Sequence, residues 1–145
     1  MSDVDILQFV DTNVLIYAHD SSAGVKHERA RTLLRELWKN HTGCVSAQVL
    51  QEFYVNVTQK VAKPVAPEVA AQIISDLSAW QVHQPGVDDI LDAIQLQGRH
   101  KLSFWDAMIL SSALALGCEI VWSEDLNPGQ RYDMVTVQNP FSSPA

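Results

Sequence analysis

The chain has 145 residues and a mass of 16.1 kDa, which is the size of one domain. Its composition, 47% hydrophobic and 19% charged, excludes a disordered chain, a fibre and a disulfide-stapled peptide. The net charge of −7 argues against a tight non-specific nucleic-acid binder, which needs clustered Lys and Arg. This net charge does not exclude a nuclease, because the carboxylates of an active site themselves add negative charge.

Targeting signals and cysteine chemistry are also constrained by the sequence. No apolar run reaches the roughly 18 to 20 residues that a membrane helix needs. The acidic N-terminus lacks the basic start of a signal peptide, and Cys44 and Cys118 show no CxxC spacing. We therefore expect a cytoplasmic protein with no membrane segment and two reduced, buried cysteines. A single domain over residues 1–145 is expected, with an irregular tail over 139–145.

Short apolar runs alternate with helical patterns along the chain. Five runs have the length of buried strands: residues 6–10, 44–46, 81–83, 119–123 and 134–137. Helices are predicted over 28–39, from Pro67, from Asp88 with a stripe of Ile90, Leu91 and Ile94, and over 104–116 up to Gly117. This alternation predicts an α/β fold, a three-layer α/β/α sandwich around a mostly parallel, roughly five-stranded sheet.

Four acids stand out because they follow strands or begin helices in apolar surroundings. Asp11 directly follows the first strand, and Asp125 comes two residues after the fourth. Asp106 lies at the start of the apolar central helix, and Glu52 lies near the second turn of the helix after 44–46. Strand ends and helix starts share one edge of a parallel sheet, so the four acids can converge there.

Each acid alone could be a helix cap or the partner of an arginine. Together they are harder to explain in that way, because like charges in one site raise each other's pKa. No Arg or Lys lies within three residues of any of the four acids. A hard cation with oxygen ligands, Mg²⁺ or Mn²⁺, is the simplest compensation. The residues thus indicate a candidate metal site formed by Asp11, Glu52, Asp106 and Asp125.

Four stretches carry a family resemblance: FVDTNVLIY at 9–17, VLQEF at 49–53, FWDAMI at 104–109 and SEDL at 123–126. In order and spacing they resemble the acidic motifs of PIN-domain ribonucleases, in particular the stand-alone VapC-type toxins of bacterial toxin–antitoxin pairs. The resemblance spans residues 9 to about 137. It implies that Asp11 and Asp106 are the most direct ligands of one or two Mg²⁺ or Mn²⁺ ions, with Asp125 and Glu52 helping.

The resemblance also implies roles for other residues and for partners. Thr12, Asn13 and Ser123 match polar positions that orient the acids. The implied activity is endonucleolytic hydrolysis of RNA that leaves 5′-phosphate and 3′-hydroxyl ends, with the ion assisting deprotonation of water and stabilising charge on the phosphate. The implied partners are an RNA substrate, a small antitoxin protein and a second copy of the chain.

Several alternatives stay open at this point. A catalytically silent PIN fold that binds RNA or protein is the main one. A phosphotransfer domain is disfavoured, because Asn13 stands where the dehalogenase pattern has a second Asp. The basic stripe of α-helical spacing at His27, Arg31, Arg35 and Lys39 is interpreted as a solvated face, with RNA steering as the alternative. Trp105 is interpreted as a core residue, with stacking on a base as the alternative.

A homodimer is expected because a 145-residue core cannot cover every amphipathic helix. The candidates for excess apolar surface are Val55, Val57, Val61, Ile73, Ile74 and Trp80.

Overall fold

The structure is a computed structural model that describes residues 6–142. Its strands are β1 (Gln8–Val10), β2 (Gly43–Ser46), β3 (Gln81–His83), β4 (Ile120–Trp122), β5 (Arg131–Tyr132) and β6 (Val135–Gln138). Its α-helices are α1 (Thr12–His19), α2 (Val25–Asn40), α3 (Ala47–Gln59), α4 (Pro67–Leu77), α5 (Val87–His100) and α6 (Phe104–Ala115). All five predicted strands are present.

The strands form one sheet in the order β3-β2-β1-β4-β6-β5. Neighbouring strands are parallel except β5 and β6, which pair antiparallel. The chain first adds β2 and β3 on one side of β1, and later adds β4 and β6 on the other side. The connections therefore change direction between β1 and β4, and such a switch point opens a crevice at the carboxyl ends of the two strands.

The helices cover the sheet in two groups, which gives the predicted three-layer α/β/α sandwich. Helix α6 packs on β2, β4 and β6, and α5 packs on α6. The second group has α1 against α2 and α3, with α4 against α3. Buried strand residues such as Phe9, Val45 and Val121 form the centre of the core. Cys44 and Cys118 are both buried and free, as expected.

Side-chain caps fix the starts of the helices that begin near the crevice. The carboxylate of Asp11 accepts a hydrogen bond from the Thr12 backbone N–H and caps α1. Ser46 Oγ accepts from the Val49 N–H at 3.2 Å and caps α3. Ser103 Oγ accepts from the Asp106 N–H at 3.1 Å and caps α6. These caps satisfy backbone donors that the helix leaves unpaired and so define where each helix begins.

The structure differs from the sequence prediction in the orientation of α5. Ile90, Leu91 and Ile94 were predicted as its buried stripe, but all three are exposed. The buried residues of α5 are Ala93 and Leu96. A small residue on the inner face allows α5 to lie close against α6, which leaves the larger apolar residues on the outside.

Two other differences concern the last strands and the apolar surface. The sheet has a sixth strand, β5, whose two residues are too short to show a strand pattern. Val57 and Trp80, two of the candidates for excess apolar surface, are buried in the core.

The described part of the chain ends in a short segment after β6. Residues 139–142 contain no helix or strand, and Arg29 Nη1 donates to the Phe141 carbonyl at 3.1 Å. Residues 143–145 and the acidic N-terminal residues 1–5 lie outside the described part. Across 6–142, no helix has the length and apolar character needed to cross a membrane.

Candidate active site

A small cleft lies at the switch point between the carboxyl ends of β1 and β4. Its volume is about 100 Å³, and the four predicted acids all contribute to its wall. The lining residues are Asp11, Thr12, Asn13, Gln48, Glu52, Trp105, Asp106, Ile109 and Asp125. The structure therefore brings together side chains that are as far as 114 positions apart (11 to 125) in the sequence. A space of this size holds a few waters or a hydrated ion rather than a whole nucleotide.

Asp11 is the most buried of the four acids, with 5% of its surface exposed. Burial raises the pKa of its carboxyl from 3.8 to about 6, and the charges of Asp106 and Asp125 act in the same direction. The hydrogen bonds from Ser123 and Thr12 oppose this shift in pKa. Oδ1 accepts from the Thr12 N–H at 2.7 Å and Oδ2 from Ser123 Oγ at 2.8 Å, so both oxygens are fixed.

Two other acids are each held by a polar side chain from the first turn of α1. Thr12 Oγ1 donates to Glu52 Oε1 at 2.7 Å. Asn13 Nδ2 donates to Asp125 Oδ2 at 3.0 Å, while its Oδ1 accepts from the Glu124 N–H at 3.2 Å. Thr12, Asn13 and Ser123 thus orient Glu52, Asp125 and Asp11, respectively.

Asp106 lies in the first turn of α6, where its position is fixed by the Ser103 cap. Its carboxylate has no hydrogen-bond donor within residues 6–142. Asp106 is therefore the acid of the cleft whose oxygens are most available to a ligand.

No cation of the protein neutralises these four acids within the described residues. The ion pairs found there lie elsewhere, and the nearest in sequence joins Lys26 to Glu124. Glu124 also accepts from the Tyr17 hydroxyl at 3.1 Å. The acid adjacent to Asp125 is therefore part of a structural contact between α2 and the loop after β4.

The donor set of the cleft fits a hard divalent cation, because it consists of carboxylate, hydroxyl and amide oxygens. The buried Gln48 Oε1 has no hydrogen-bond partner among the described residues and adds a further oxygen at this site. Across residues 6–142, no three acidic, His or Cys side chains lie close enough together to hold an ion as they stand. Ion binding would therefore require the acid side chains, of which Asp106 is the least constrained, to turn toward one another.

The sequence prediction missed three residues of the cleft, Gln48, Trp105 and the buried Ile109. Gln48 lies in the first turn of α3, one turn before Glu52, so the two side chains share a face of the helix. The i, i+4 spacing from Glu52 was the only signal for it. Trp105 was interpreted as core, but 62% of its surface is exposed at the cleft.

Comparison with known proteins agrees with this architecture. The model of the PIN domain family matches residues 9–132. The chain belongs to the PIN domain family. This family assignment and the fold confirm the resemblance seen in the acidic motifs. Comparison with curated protein sequences gave no match.

Solved structures of similar fold come from bacterial toxin–antitoxin systems. A toxin–antitoxin complex from Klebsiella pneumoniae has 20% identity and a TM-score of 0.70, covering 94% of this chain and 99% of that one. VapBC2 from Rickettsia felis, bound to a promoter DNA fragment, has 19% identity and a TM-score of 0.66, covering 92% and 98%. VapC20 from Mycobacterium tuberculosis, a toxin that cleaves the sarcin–ricin loop, has 22% identity and a TM-score of 0.64, covering 81% and 91%.

Proposed function

We propose that this protein is a metal-dependent endoribonuclease and the toxin of a bacterial toxin–antitoxin pair, acting in the cytoplasm. The observation that carries the proposal is the cleft at the β1–β4 switch point, where four acids without a protein cation line one wall in a PIN domain chain. The similarity of the fold to VapC and VapBC structures supports the toxin role. RNA is the proposed substrate.

The proposed cofactor is Mg²⁺ or Mn²⁺, held by Asp11 and Asp106 with help from Asp125 and Glu52. When bound, such an ion would lower the pKa of water and stabilise negative charge on the phosphate and on the leaving 3′ oxygen. The protein's own contribution is orientation. Ser123 and the Thr12 N–H hold Asp11, the Thr12 hydroxyl holds Glu52, and Asn13 holds Asp125. These hydrogen bonds hold three of the acids beside the cleft, so that the adjustment needed to surround an ion falls mainly on Asp106.

Cleavage of RNA in the presence and absence of divalent cations tests this proposal. The wild type should cleave with Mg²⁺ or Mn²⁺ and stop when a chelator is added. Asp11→Asn should lower the rate by orders of magnitude, because Asn keeps the shape and the helix cap but removes a charged ligand. Asp20→Asn is the matched control, since Asp20 is also buried and also caps a helical turn, outside the cleft.

The outcomes of that experiment separate the enzyme from the binding module. Cleavage that persists in chelator, or equal loss in the two variants, would remove the assignment of the site. Binding of RNA without any cleavage would favour the catalytically silent PIN module.

The proposed partners are an antitoxin and a second copy of the chain. An antitoxin should be encoded by an adjacent reading frame for a small DNA-binding protein, and its co-expression should suppress RNA cleavage. The homodimer is supported by an exposed apolar stripe along α5, formed by Val87, Ile90, Leu91 and Ile94. These residues follow the i, i+3, i+4, i+7 spacing of one helix face, which usually contacts another apolar surface.

A further inference from the structure

Trp105 places an exposed aromatic ring at the wall of the acidic cleft. It lies between Phe104 and Asp106 at the start of α6, and 62% of its surface is exposed. Tryptophan is strongly buried on average in folded proteins, so an indole that stays in solvent beside a candidate active site needs an explanation. The other apolar residue of the cleft wall, Ile109, is only 2% exposed. Trp105 is therefore the accessible apolar surface of the cleft.

The ring is held in place by its neighbours. Phe104 packs against the hydrophobic core and meets the Trp105 ring edge to face, with 5.1 Å between ring centroids and 72° between planes. The Ser103 cap fixes the backbone of this turn through its 3.1 Å hydrogen bond from the Asp106 N–H. The indole is thus fixed next to the backbone of Asp106, and stacking of a ligand on it would cost Trp105 little side-chain freedom.

The size of the cleft separates the place of the phosphate from the place of the base. At about 100 Å³ the cleft is smaller than the roughly 300 to 1,000 Å³ of pockets that enclose small ligands. A phosphate and an ion can enter it, but a nucleobase has to lie outside against the rim. Trp105 is the aromatic side chain at that rim.

Because the cleft wall is acidic, binding of RNA beside it needs a contact that does not depend on protein cations. No Lys or Arg is among the residues that line it within the described part of the chain, and the protein carries a net charge of −7. Neutralisation of phosphates by cations of the cleft wall therefore does not supply affinity for RNA at this site. Stacking of a base on an aromatic ring supplies affinity without cations and tolerates any base.

We propose that Trp105 is the stacking platform for an unpaired base next to the phosphate that is cleaved. This inference rests on the proposed ribonuclease function. In a duplex the bases are already stacked on each other, and only an unpaired base can turn out onto an indole. Trp105 is thus a binding residue that places the strand relative to the four acids.

Binding of short RNA strands to Trp105 variants tests the proposal. The probes are single strands of adenosine of roughly 12 nucleotides, the same strand in a duplex, and a strand of abasic spacers of equal length. In the Asp11→Asn background, which prevents cleavage, Trp105→Ala should weaken binding of the adenosine strand roughly 5- to 100-fold. Trp105→Phe should restore most of that loss, and binding of the duplex and of the abasic strand should be the same with and without Trp105→Ala.

Two matched controls show whether the changes in RNA binding and in fluorescence come from Trp105. Met134→Ala removes an apolar side chain that is 68% exposed, but Met134 precedes β6 and so lies at the opposite edge of the sheet. In the Asp11→Asn background, Met134→Ala should leave the affinity for the adenosine strand unchanged. Quenching of tryptophan fluorescence by the strand should persist in Trp38→Phe and disappear in Trp105→Phe, because Trp38 lies on α2 away from the cleft.

Steady-state cleavage distinguishes the failure of this inference from failure of the proposed function. Trp105→Ala should raise KM by the same roughly 5- to 100-fold factor and change kcat only a few-fold. A wild type that cleaves with Mg²⁺ while Trp105→Ala has an unchanged KM would overturn stacking and leave the ribonuclease intact. Loss of dimerisation in Trp105→Ala with unchanged RNA affinity would also overturn it, since the indole would then be a protein contact. A wild type that neither binds nor cleaves RNA would overturn both.

Discussion

Asp11 combines burial with a charge that the proposed chemistry requires. Its carboxyl is 5% exposed, and burial raises its pKa to about 6. The two hydrogen bonds to its oxygens reduce that penalty only in part. The ionised form of Asp11 is therefore destabilised in the folded protein without a cation, and a bound cation would offset that penalty.

This penalty should be visible in the pH dependence of the free energy of unfolding. The unfolded chain has the ordinary pKa of 3.8 and the folded protein a value of about 6, so the folded state holds the proton more tightly. The free energy of unfolding should fall by about 3 kcal/mol in total as the pH rises from below about 4 to above about 6, and then level off. Denaturant unfolding in chelator, compared between wild type and Asp11→Asn, isolates this contribution. A difference between the two proteins that does not change from pH 4 to pH 7 would contradict it.

Neutralising Asp106 should stabilise the metal-free protein while disabling it. The charge of Asp106 acts to raise the pKa of Asp11, so Asp106→Asn removes a repulsion from the cleft. We expect a gain of about 1 kcal/mol at neutral pH in chelator, or roughly 2 to 5 °C in Tm. In saturating Mg²⁺ the difference in Tm between Asp106→Asn and the wild type should shrink or change sign, because the wild type gains more stability from binding the ion. A lower Tm for Asp106→Asn in chelator would contradict repulsion among the four acids.

The residues of the cleft show what sequence reasoning can and cannot reach. The acids were predictable because each follows an apolar strand or begins a helix, and the topology of a parallel sheet then brings them together. The exposure of Trp105 was not predictable, because α6 is apolar on nearly every side and its sequence pattern does not distinguish an inner face from an outer one. Its exposure depends on lying in the first turn, beyond the part of α6 that the core covers.

At the scale of elements, strands were predicted better than helix faces. Short apolar runs and capping residues are local signals, and the strands β1 to β4 and β6 follow from them. The face of α5 is decided by its contact with α6, where Ala93 permits close approach. The two-residue strand β5 exists only through its pairing with β6, so it has no pattern of its own.

The contact between β2 and the loop before β3 offers a test of packing at this scale. A Cβ added at Gly43 would lie 2.7 Å from three atoms of the Trp80 ring, which is itself packed against Trp38. Gly43→Ala should therefore cost about 1 to 3 kcal/mol of stability, because neither the strand nor the indole can move freely. Gly98→Ala, in α5 with open space around it, should instead stabilise by about 0.5 to 1 kcal/mol. Thermal or denaturant melts of both variants check the sign, and a neutral Gly43→Ala would mean that Trp80 has room to shift.

At the scale of the whole molecule, the apolar surface left by the fold is the support for the proposed homodimer. The core buries Val57 and Trp80, which sequence reasoning had assigned to excess surface. It leaves the α5 stripe of Val87, Ile90, Leu91 and Ile94 exposed instead. One helix face is smaller than the roughly 800 Å² per partner of a standard interface, so the stripe should be the centre of a larger contact.

A charge in the α5 stripe should separate the two copies without unfolding either. Leu91→Lys keeps helix propensity but puts an ammonium group into the centre of the proposed interface, where it would be desolvated and unpaired. Val69→Lys on α4 is the matched control, since Leu91 and Val69 are both 53% exposed. In sedimentation at tens of micromolar, wild type and Val69→Lys should be dimers and Leu91→Lys a 16.1 kDa monomer with nearly the wild-type Tm. A wild type that sediments only as the monomer would contradict the dimer. Dissociation by Val69→Lys alone would place the interface on α4, because burial of a charge opposes association only where the two surfaces meet.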